Sequence, residues 1–473
     1  MKTTVLLVAL ALLALPVGAA TASTIVTEDE ARTVAENWVA LIAELKGGWA
    51  GTDTPEVAGV EPLKRVDRTV GHYCRIKPRG FVVVSLLKGL APVKVYSTWS
   101  ELRPESEEGP ADLVKGRMAA ALDWIEAELG PLDLVELEVL QNLVPLDYSS
   151  AWAEFLGDSG SISRNYAMGE TLLTSTWHQD DPYNRHCPPG DGCDHTLVGC
   201  VATAGSQIMR YWDWPPYGID PYNDPYDWAN MRDVVTAGSP QVEIDAVAEL
   251  CYEVGVCVGM TYGCNESSAP TAYMVGVYVD YYRYSPTCVW VLRDEIDPID
   301  WFESIKAQIN WNQPMQYRIP GHSVVVDGWQ EIGPGPTRQY HVNYGWPDTG
   351  MNAWYTLDQI PGGDPPEEYM VANILPDGSV YSTFSGVVSV PEFPCRYFNI
   401  DAVGTDATFQ PGHYLQFLPD ITVGCAAGYV RFVGLPGAHT RLYTNGDAST
   451  GIRVHDGAVK VSPGGEIAFR WRG

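Results

Sequence analysis

Basic residues are scarce in this chain. Thirty lysines and arginines stand against 59 aspartates and glutamates, a formal net charge of −29, which argues against nucleic acid or an anionic membrane surface as the main partner. Long apolar runs are also missing. The run from Val5 to Leu15 falls short of the roughly 18 residues that a membrane-spanning helix needs, and no later stretch reaches that length. Charged residues make up only 19% of the chain. Against that, 45% is hydrophobic, with 16 Trp and 26 Tyr, the composition of a globular protein with ample core and aromatic surface. At 473 residues the chain is too long for one compact domain.

Met1-Lys2, the apolar run and the small-residue pattern Ala20-Thr21-Ala22 read as a secretory signal peptide over residues 1–22, so a secreted product is expected. Ten cysteines suit an oxidising compartment. With Cys74 in a segment that is later removed and Cys200 kept as a thiol, an even number remains for disulfides. Sequence does not fix their connectivity. Cys187/Cys193 and Cys395/Cys425 are the pairs plausible by proximity, and a Cys187–Cys193 bridge is the one expected beside the cleft. His186-Cys187 and Cys193-Asp194-His195 carry zinc-type donors, but in an exported chain the disulfide reading is stronger, and no metal or cofactor is expected.

Chemistry concentrates in two stretches. In Gly199-Cys200-Val201-Ala202-Thr203-Ala204, continuing to Trp212, the apolar residues Val201, Ala204, Ile208 and Trp212 recur at helical spacing, and Pro215-Pro216 stops the run. Cys200 then sits at a helix start, where unpaired N–H groups favour thiolate. On position alone a buried structural cysteine is the commoner case, so the second stretch decides. Gly321-His322-Ser323 opens a β-rich run, and Arg338 to Trp346 is another, with a Gly/Pro turn between them. If Trp329 faces Arg338, His322 lies opposite Gly345 and Asn343 opposite Val324. His322 and Asn343 are then diagonal neighbours on one face, roughly 7 Å apart. A Cys, a His and an Asn that orients the His make a thiol-protease set. His341 shares the strand face of Asn343 but faces Val326, farther along the hairpin, so His322 is the expected base.

These two blocks, with Trp177-His178-Gln179 and Pro182-Tyr183-Asn184 upstream, resemble the streptopain family of papain-like cysteine proteases, in order from about Leu172 to Leu357. The resemblance implies that Gln179 and the Cys200 N–H form an oxyanion hole. It also implies that Trp346 covers the imidazole, and that Ser267, Ser268 and Gly321 border the substrate cleft. On residues alone, Ser267-Ser268 is a surface loop. Tyr344 stands where the family more often has Trp, which bears on substrate preference more than on catalysis.

The fold class that follows is α+β: a papain-like two-subdomain protease at 161–373, an α+β inhibitory propeptide at 23–160 that resembles the family's, and a C-terminal all-β sandwich-like module at 374–473. Thr27-Glu28-Asp29-Glu30 is a capping box before an amphipathic helix bearing Val34, Trp38, Leu41 and Leu45. Strands are expected at Gly80–Ser85 and Ala91–Ser97, helix from Asp112 to about Val144, and an exposed, cleavable linker between about Ala151 and Tyr166. A further helix begins near Asp245. Strands of the C-terminal module are read at 441–443, 452–454, 458–461 and 467–470, around Asn445-Gly446, Asp456-Gly457 and Gly464-Gly465. The function implied is a secreted cysteine endopeptidase made as a zymogen, acting on protein or peptide substrates and held by its own propeptide. Two other readings are a papain-fold acyltransferase or amidase and a noncatalytic binding or adhesion protein on a protease scaffold. The presence of all four expected groups argues against the second.

Overall fold

A computed structural model describes residues 23–157, 166–169, 171–215, 217–218, 221–293, 296–333, 337–346, 352–356 and 368–376, with separate strand segments between 381 and 472. Helix α1 (Glu28–Lys46) starts on the expected capping box: the Thr27 hydroxyl accepts from the Glu30 N–H, and the Glu30 carboxylate accepts from the Thr27 N–H. It ends at Gly47 in a left-handed conformation. Its inner face buries Val34, Trp38, Leu41 and Ile42, each of the large ones contributing about 1.5–3 kcal/mol. Trp38 lies edge-on to Tyr96 and against Phe155.

That face packs on four antiparallel strands, β1 (Glu56–Arg65), β2 (Arg68–Lys77), β3 (Phe81–Ser85) and β4 (Val93–Ser97). The last two are the strands expected from sequence. The β1–β2 hairpin is additional; β1 is half-exposed along most of its length and so lacks a clear alternation. The helix expected from Asp112 to Val144 is broken. Helix α2 (Gly109–Leu129) stops at Gly130-Pro131, and α3 (Leu137–Leu143) resumes after a single turn of 3-10 helix. Helix α4 (Ser149–Phe155) runs into the expected linker, because Trp152 and Phe155 are buried in the α1 core. Residues 158–165 lie outside the described residues, as do the signal segment, Cys395, Cys425 and the C-terminal turn signals.

The second half of the described chain contributes β5 (Tyr166–Met168), the helices α5 (Cys200–Trp212) and α6 (Gln241–Cys257), the single turn α7 (Met274–Gly276), β6 (Val289–Leu292), α8 (Pro298–Asn310), β7 (Met315–Ile319), β8 (His322–Ile332), β9 (Thr337–Asn343), β10 (Ala353–Thr356) and β11 (Tyr369–Ala372). Strands β1 to β11 form one sheet in the order β1-β2-β3-β4-β10-β9-β8-β7-β11-β6, with β5 paired to β8. The first unit's sheet therefore continues into the second through β4–β10, where Tyr96 faces Trp354 and Val95 faces Tyr355. Helices α5 and α6 enclose a separate core with Trp177, Met209, Tyr278 and Leu250, which extends through Ile374 and Leu375. Among the C-terminal segments, Ala427–Val433 pairs antiparallel with Glu466–Arg472, and strands at Leu442–Tyr443 and Val459–Lys460 fall within the expected runs; 452–454 lies outside the described residues. No described helix is long and apolar enough to cross a membrane.

An ion cluster crosses between the units. Arg117 of α2 pairs with Glu368, which also pairs with Arg293; Glu368 and Arg293 are nearly inaccessible, while Arg117 is about a third open. Burial raises the Glu368 pKa, but the two guanidinium groups outweigh it and hold the carboxyl below its usual range. Its contribution to folding is therefore present above the ordinary glutamate pKa and is lost as pH falls through the lowered folded value. Arg117→Met is expected to cost about 1–2 kcal/mol near neutral pH, less than a fully buried pair because Arg117 is partly solvated. The loss should shrink at about pH 4, and denaturant midpoints at the two pH values measure it.

The Cys187–Cys193 bridge does not form. Cys193 is joined to Cys264 across 71 residues, and Cys187 is a free, buried thiol. The reason is local. Gly190 and Cys193 close a turn by mutual backbone bonds that aims Cys193 at the 261–268 loop, while Cys187 points into the α5–α6 core, where burial pushes its thiol up to about 12. Spending Cys193 in this way also removes a thiolate from the zinc set. Peptide mapping without reduction should recover Cys193 linked to Cys264 and Cys187 alkylatable after unfolding. Cys264→Ser should destabilise by up to about 4 kcal/mol, the loop-entropy figure for such a separation.

Candidate active site

Cys200 is the first residue of α5, and its own N–H has no partner within the helix. The preceding Gly199 has φ 88°, and a Cβ there would meet the Met260 sulfur at 2.6 Å and the Ser267 carbonyl oxygen at 3.1 Å, so only glycine lets the chain enter the helix at this point. His322 opens β8 and is 4% exposed. The two side chains are hydrogen-bonded to each other. Gln316 of β7 holds the two elements together, donating to the Val201 carbonyl and to the Ser323 hydroxyl.

The other imidazole nitrogen, Nε2, is 2.9 Å from the Tyr344 carbonyl oxygen. A carbonyl only accepts, so Nε2 carries the proton and Nδ1 is left facing the thiol. Tyr344 stacks on the ring at 5.8 Å and Trp346 meets it edge-on at 5.4 Å. Burial raises the Cys200 pKa, but the charge and hydrogen bond of His322, the Ser323 N–H and Arg318 together bring it below the ordinary thiol value. For His322 burial lowers the pKa, and the charge and hydrogen bond of Cys200 with the Tyr344 carbonyl carry it above the ordinary imidazole value. Both directions describe a thiolate–imidazolium pair.

No hydrogen bond joins Asn343 to His322 among the described residues, where the sequence reading expected one. The structure pairs Asn343 with Val325 and Ile332 with Thr337. A bulge at Asp327 lies between the two registers, and a one-residue offset moves a side chain to the opposite face. Asn343 instead donates to the Ser175 carbonyl and to Gln207 Oε1, and accepts from Gln207 and the Gly345 N–H. His341 is engaged elsewhere: its Nδ1 is 2.6 Å from the buried Asp327 carboxylate.

Gln179 lies in the segment that precedes α5. Its carbonyl accepts from the Val198 N–H, which lays its segment beside the start of α5. Its side chain is 8% exposed and makes no hydrogen bond among the described residues. Ser267 differs from expectation: its buried hydroxyl donates to the Leu197 carbonyl and accepts from the Gly263 N–H, so it fixes the loop, while Ser268 is the exposed member. Gly321 is exposed with φ 76°, and the Leu113 side chain of α2 lies 3.8 Å from where its Cβ would be. Gly109, at the start of the same helix, sits against the Trp346 ring in the same manner, at 3.1 Å.

Residues 177–355 match the Peptidase C10 family, and the chain is 26% identical over 362 residues to streptopain of Streptococcus pyogenes, spanning 70% of this chain and 85% of the relative. These likenesses support the streptopain family for this chain. The chain is a cysteine peptidase with an α+β fold. It is also 24% identical over 207 residues to the thiol protease/hemagglutinin PrtT of Porphyromonas gingivalis, 39% of this chain and 23% of that one. A prointerpain A fragment of Prevotella intermedia has the same fold, with TM-score 0.52, 22% identity, and coverage of 67% of this chain and 98% of that one.

Residues that pattern reading did not assign are Gln207, Arg318, the Ser323 N–H and the Tyr344 carbonyl. Gln207 left a trace, an amide seven residues from Cys200 on the otherwise apolar face of the helix; backbone groups leave none. In the peptidase, alkylation of Cys200 by iodoacetamide should rise with pH below the ordinary thiol range, and its limb should move upward in His322→Ala, where the compensating charge is gone. Rate against pH, with the alkylated residue located by mass spectrometry, checks this.

Proposed function

We propose that this peptidase is a secreted endopeptidase made as a zymogen, with Cys200 as nucleophile and His322 as base and acid. The observation that carries the reading is the hydrogen-bonded Cys200–His322 pair, its imidazole tied through Nε2 to the Tyr344 carbonyl, beside the unengaged Gln179 amide. The Cys200 thiolate attacks the peptide carbonyl carbon. The resulting oxyanion takes hydrogen bonds from the Cys200 N–H and the Gln179 amide, contributing about 3 kcal/mol each when well aimed. The imidazolium gives its proton to the departing amine as the C–N bond breaks, leaving a thioester. Water, deprotonated by the neutral imidazole, then attacks the thioester and restores the thiol.

The zymogen reading is supported by where the first unit sits. The start of α2 lies on Trp346 and Gly321, on either side of His322, where an extended peptide would have to pass. Cleavage within 158–165 would separate this unit from the remainder. Secretion rests on the pattern of residues 1–22. Protein and peptide substrates are the ones proposed; product analysis on casein separates hydrolysis from acyl transfer to an amine.

Expression from about Ser23 onward, with Cys200→Ala, His322→Ala, Gln179→Ala and His341→Ala beside wild type, tests the assignment. Wild type should shorten itself and digest casein. Cys200→Ala and His322→Ala should remain full-length with nearly all turnover gone, and Gln179→Ala should lose roughly 10²-fold. His341→Ala should stay active if folded. Self-cleavage by Cys200→Ala, or full activity in His322→Ala, would overturn the reading.

A further inference from the structure

Gln207 is wholly inaccessible and two helical turns from Cys200 on the same side of α5. Its Oε1 accepts from the Ser175 hydroxyl at 3.0 Å, the Trp177 N–H at 3.1 Å and Asn343 Nδ2 at 3.0 Å. Its Nε2 donates back to Asn343 Oδ1 at 3.2 Å. Two buried amides are thus closed on each other, and each also holds a strip of backbone. Gln207 holds Trp177, two residues before Gln179. Asn343 holds the Ser175 carbonyl at 2.8 Å and, across Tyr344, the Gly345 N–H at 3.1 Å.

The second clasp matters most. A bond from Asn343 Oδ1 to the Gly345 N–H bridges Tyr344, whose carbonyl is the acceptor for His322 Nε2–H. Gly345 has φ 64°, and a Cβ there would lie 3.0 Å from Thr203 of α5, so the turn is fitted to the helix that carries Cys200. The direction of that carbonyl and the path of the Gln179 segment are fixed by the same four polar groups.

We propose that the Gln207–Asn343 amide pair is the positioning unit of this site, setting the His322 tautomer through the Tyr344 carbonyl and the oxyanion donor through the Trp177 backbone. It rests on the Cys–His reading above and assigns Asn343 an indirect role. Neither amide touches the reacting atoms. Losing the pair frees two structures at once, so transition-state stabilisation and thiol activation should fall together while substrate binding is little changed. A residue that only stabilised the fold would lower melting temperature and leave the surviving folded molecules with a normal thiol.

Full-length wild type, Gln207→Met, Gln207→Glu and Gln179→Ala, each matured by the same added protease, separate these cases. The readouts are kcat and KM on a peptide substrate and the pH dependence of iodoacetamide alkylation at Cys200. Gln207→Met, which keeps the volume but not the hydrogen bonds, should lose about 10²-fold in kcat with KM within about threefold. Its alkylation limb should move up by about one pH unit, as expected for loss of one hydrogen bond to a charged group. Gln179→Ala should lose kcat with the limb unmoved. Gln207→Glu carries the test should Gln207→Met not fold. Its protonated carboxyl can still accept from Trp177 and donate to Asn343, so it should approach wild-type behaviour on the acid side and lose it as the carboxyl ionises. Wild-type kcat in the folded Gln207 variants, or a lost kcat with an unmoved alkylation limb, would overturn the inference. Failure of the underlying reading looks different: wild type itself would show no preferential alkylation of Cys200.

Discussion

The hydrogen bond between Cys200 and His322 is the contact that the rest of the site serves. It joins the start of a helix to the start of a strand, and burial works against the ionised form of each partner. Placing both out of water is tolerable only if each charge is the other's compensation and the remaining polar atoms are already satisfied. That is what the surroundings supply. Arg318 favours the thiolate and opposes the imidazolium; the Ser323 N–H favours the first and the Tyr344 carbonyl the second. Gln316 ties β7 and β8 to the first turn of α5, so the pair is held by bonds that do not depend on its own ionisation.

The N-terminal unit is not a plug resting on a finished surface. Its strands extend the peptidase sheet, its helix α2 shares a core with β7, β8, β9 and α8, and Arg117 completes the charge balance of Glu368. Helix α2 thereby contributes at both scales, packing into the large core and laying its first turn over Trp346. Covering of the site follows from how the two units fold together.

Much of this was legible in the residues because it rests on local signals. Thr27 and Glu30 announce α1, the apolar spacing of Val201, Ala204, Ile208 and Trp212 announces α5, and the family likeness points to Cys200 and His322, which the fold brings together. The misses are non-local. No pattern in β8 marks the bulge at Asp327, yet that one residue turns Asn343 away from His322. Cys187 and Cys193 are close in sequence, but the direction of each depends on a turn and on a core assembled from distant helices. A carbonyl such as that of Tyr344 has no sequence signature, since every residue has one. Gln207 shows the intermediate case: its type was visible, and its meaning needed the two strips of chain it joins, 175–177 and Asn343.

The junction between β4 and β10 is short, with two facing residue pairs. Lys46, whose burial lowers its pKa to about 8, lies over the indole of Trp354 at 4.4 Å. Separation of the first unit would break few backbone bonds there, but it would leave Trp354 and Tyr355 on an unpaired sheet edge. Under the proposed maturation, a released peptidase would carry a raw margin that the full chain covers, open to a strand from another chain. Its folding is also directional: the covered form assembles with that margin sealed, whereas a released form that unfolds must rebuild its longest-range strand pairings with the edge bare.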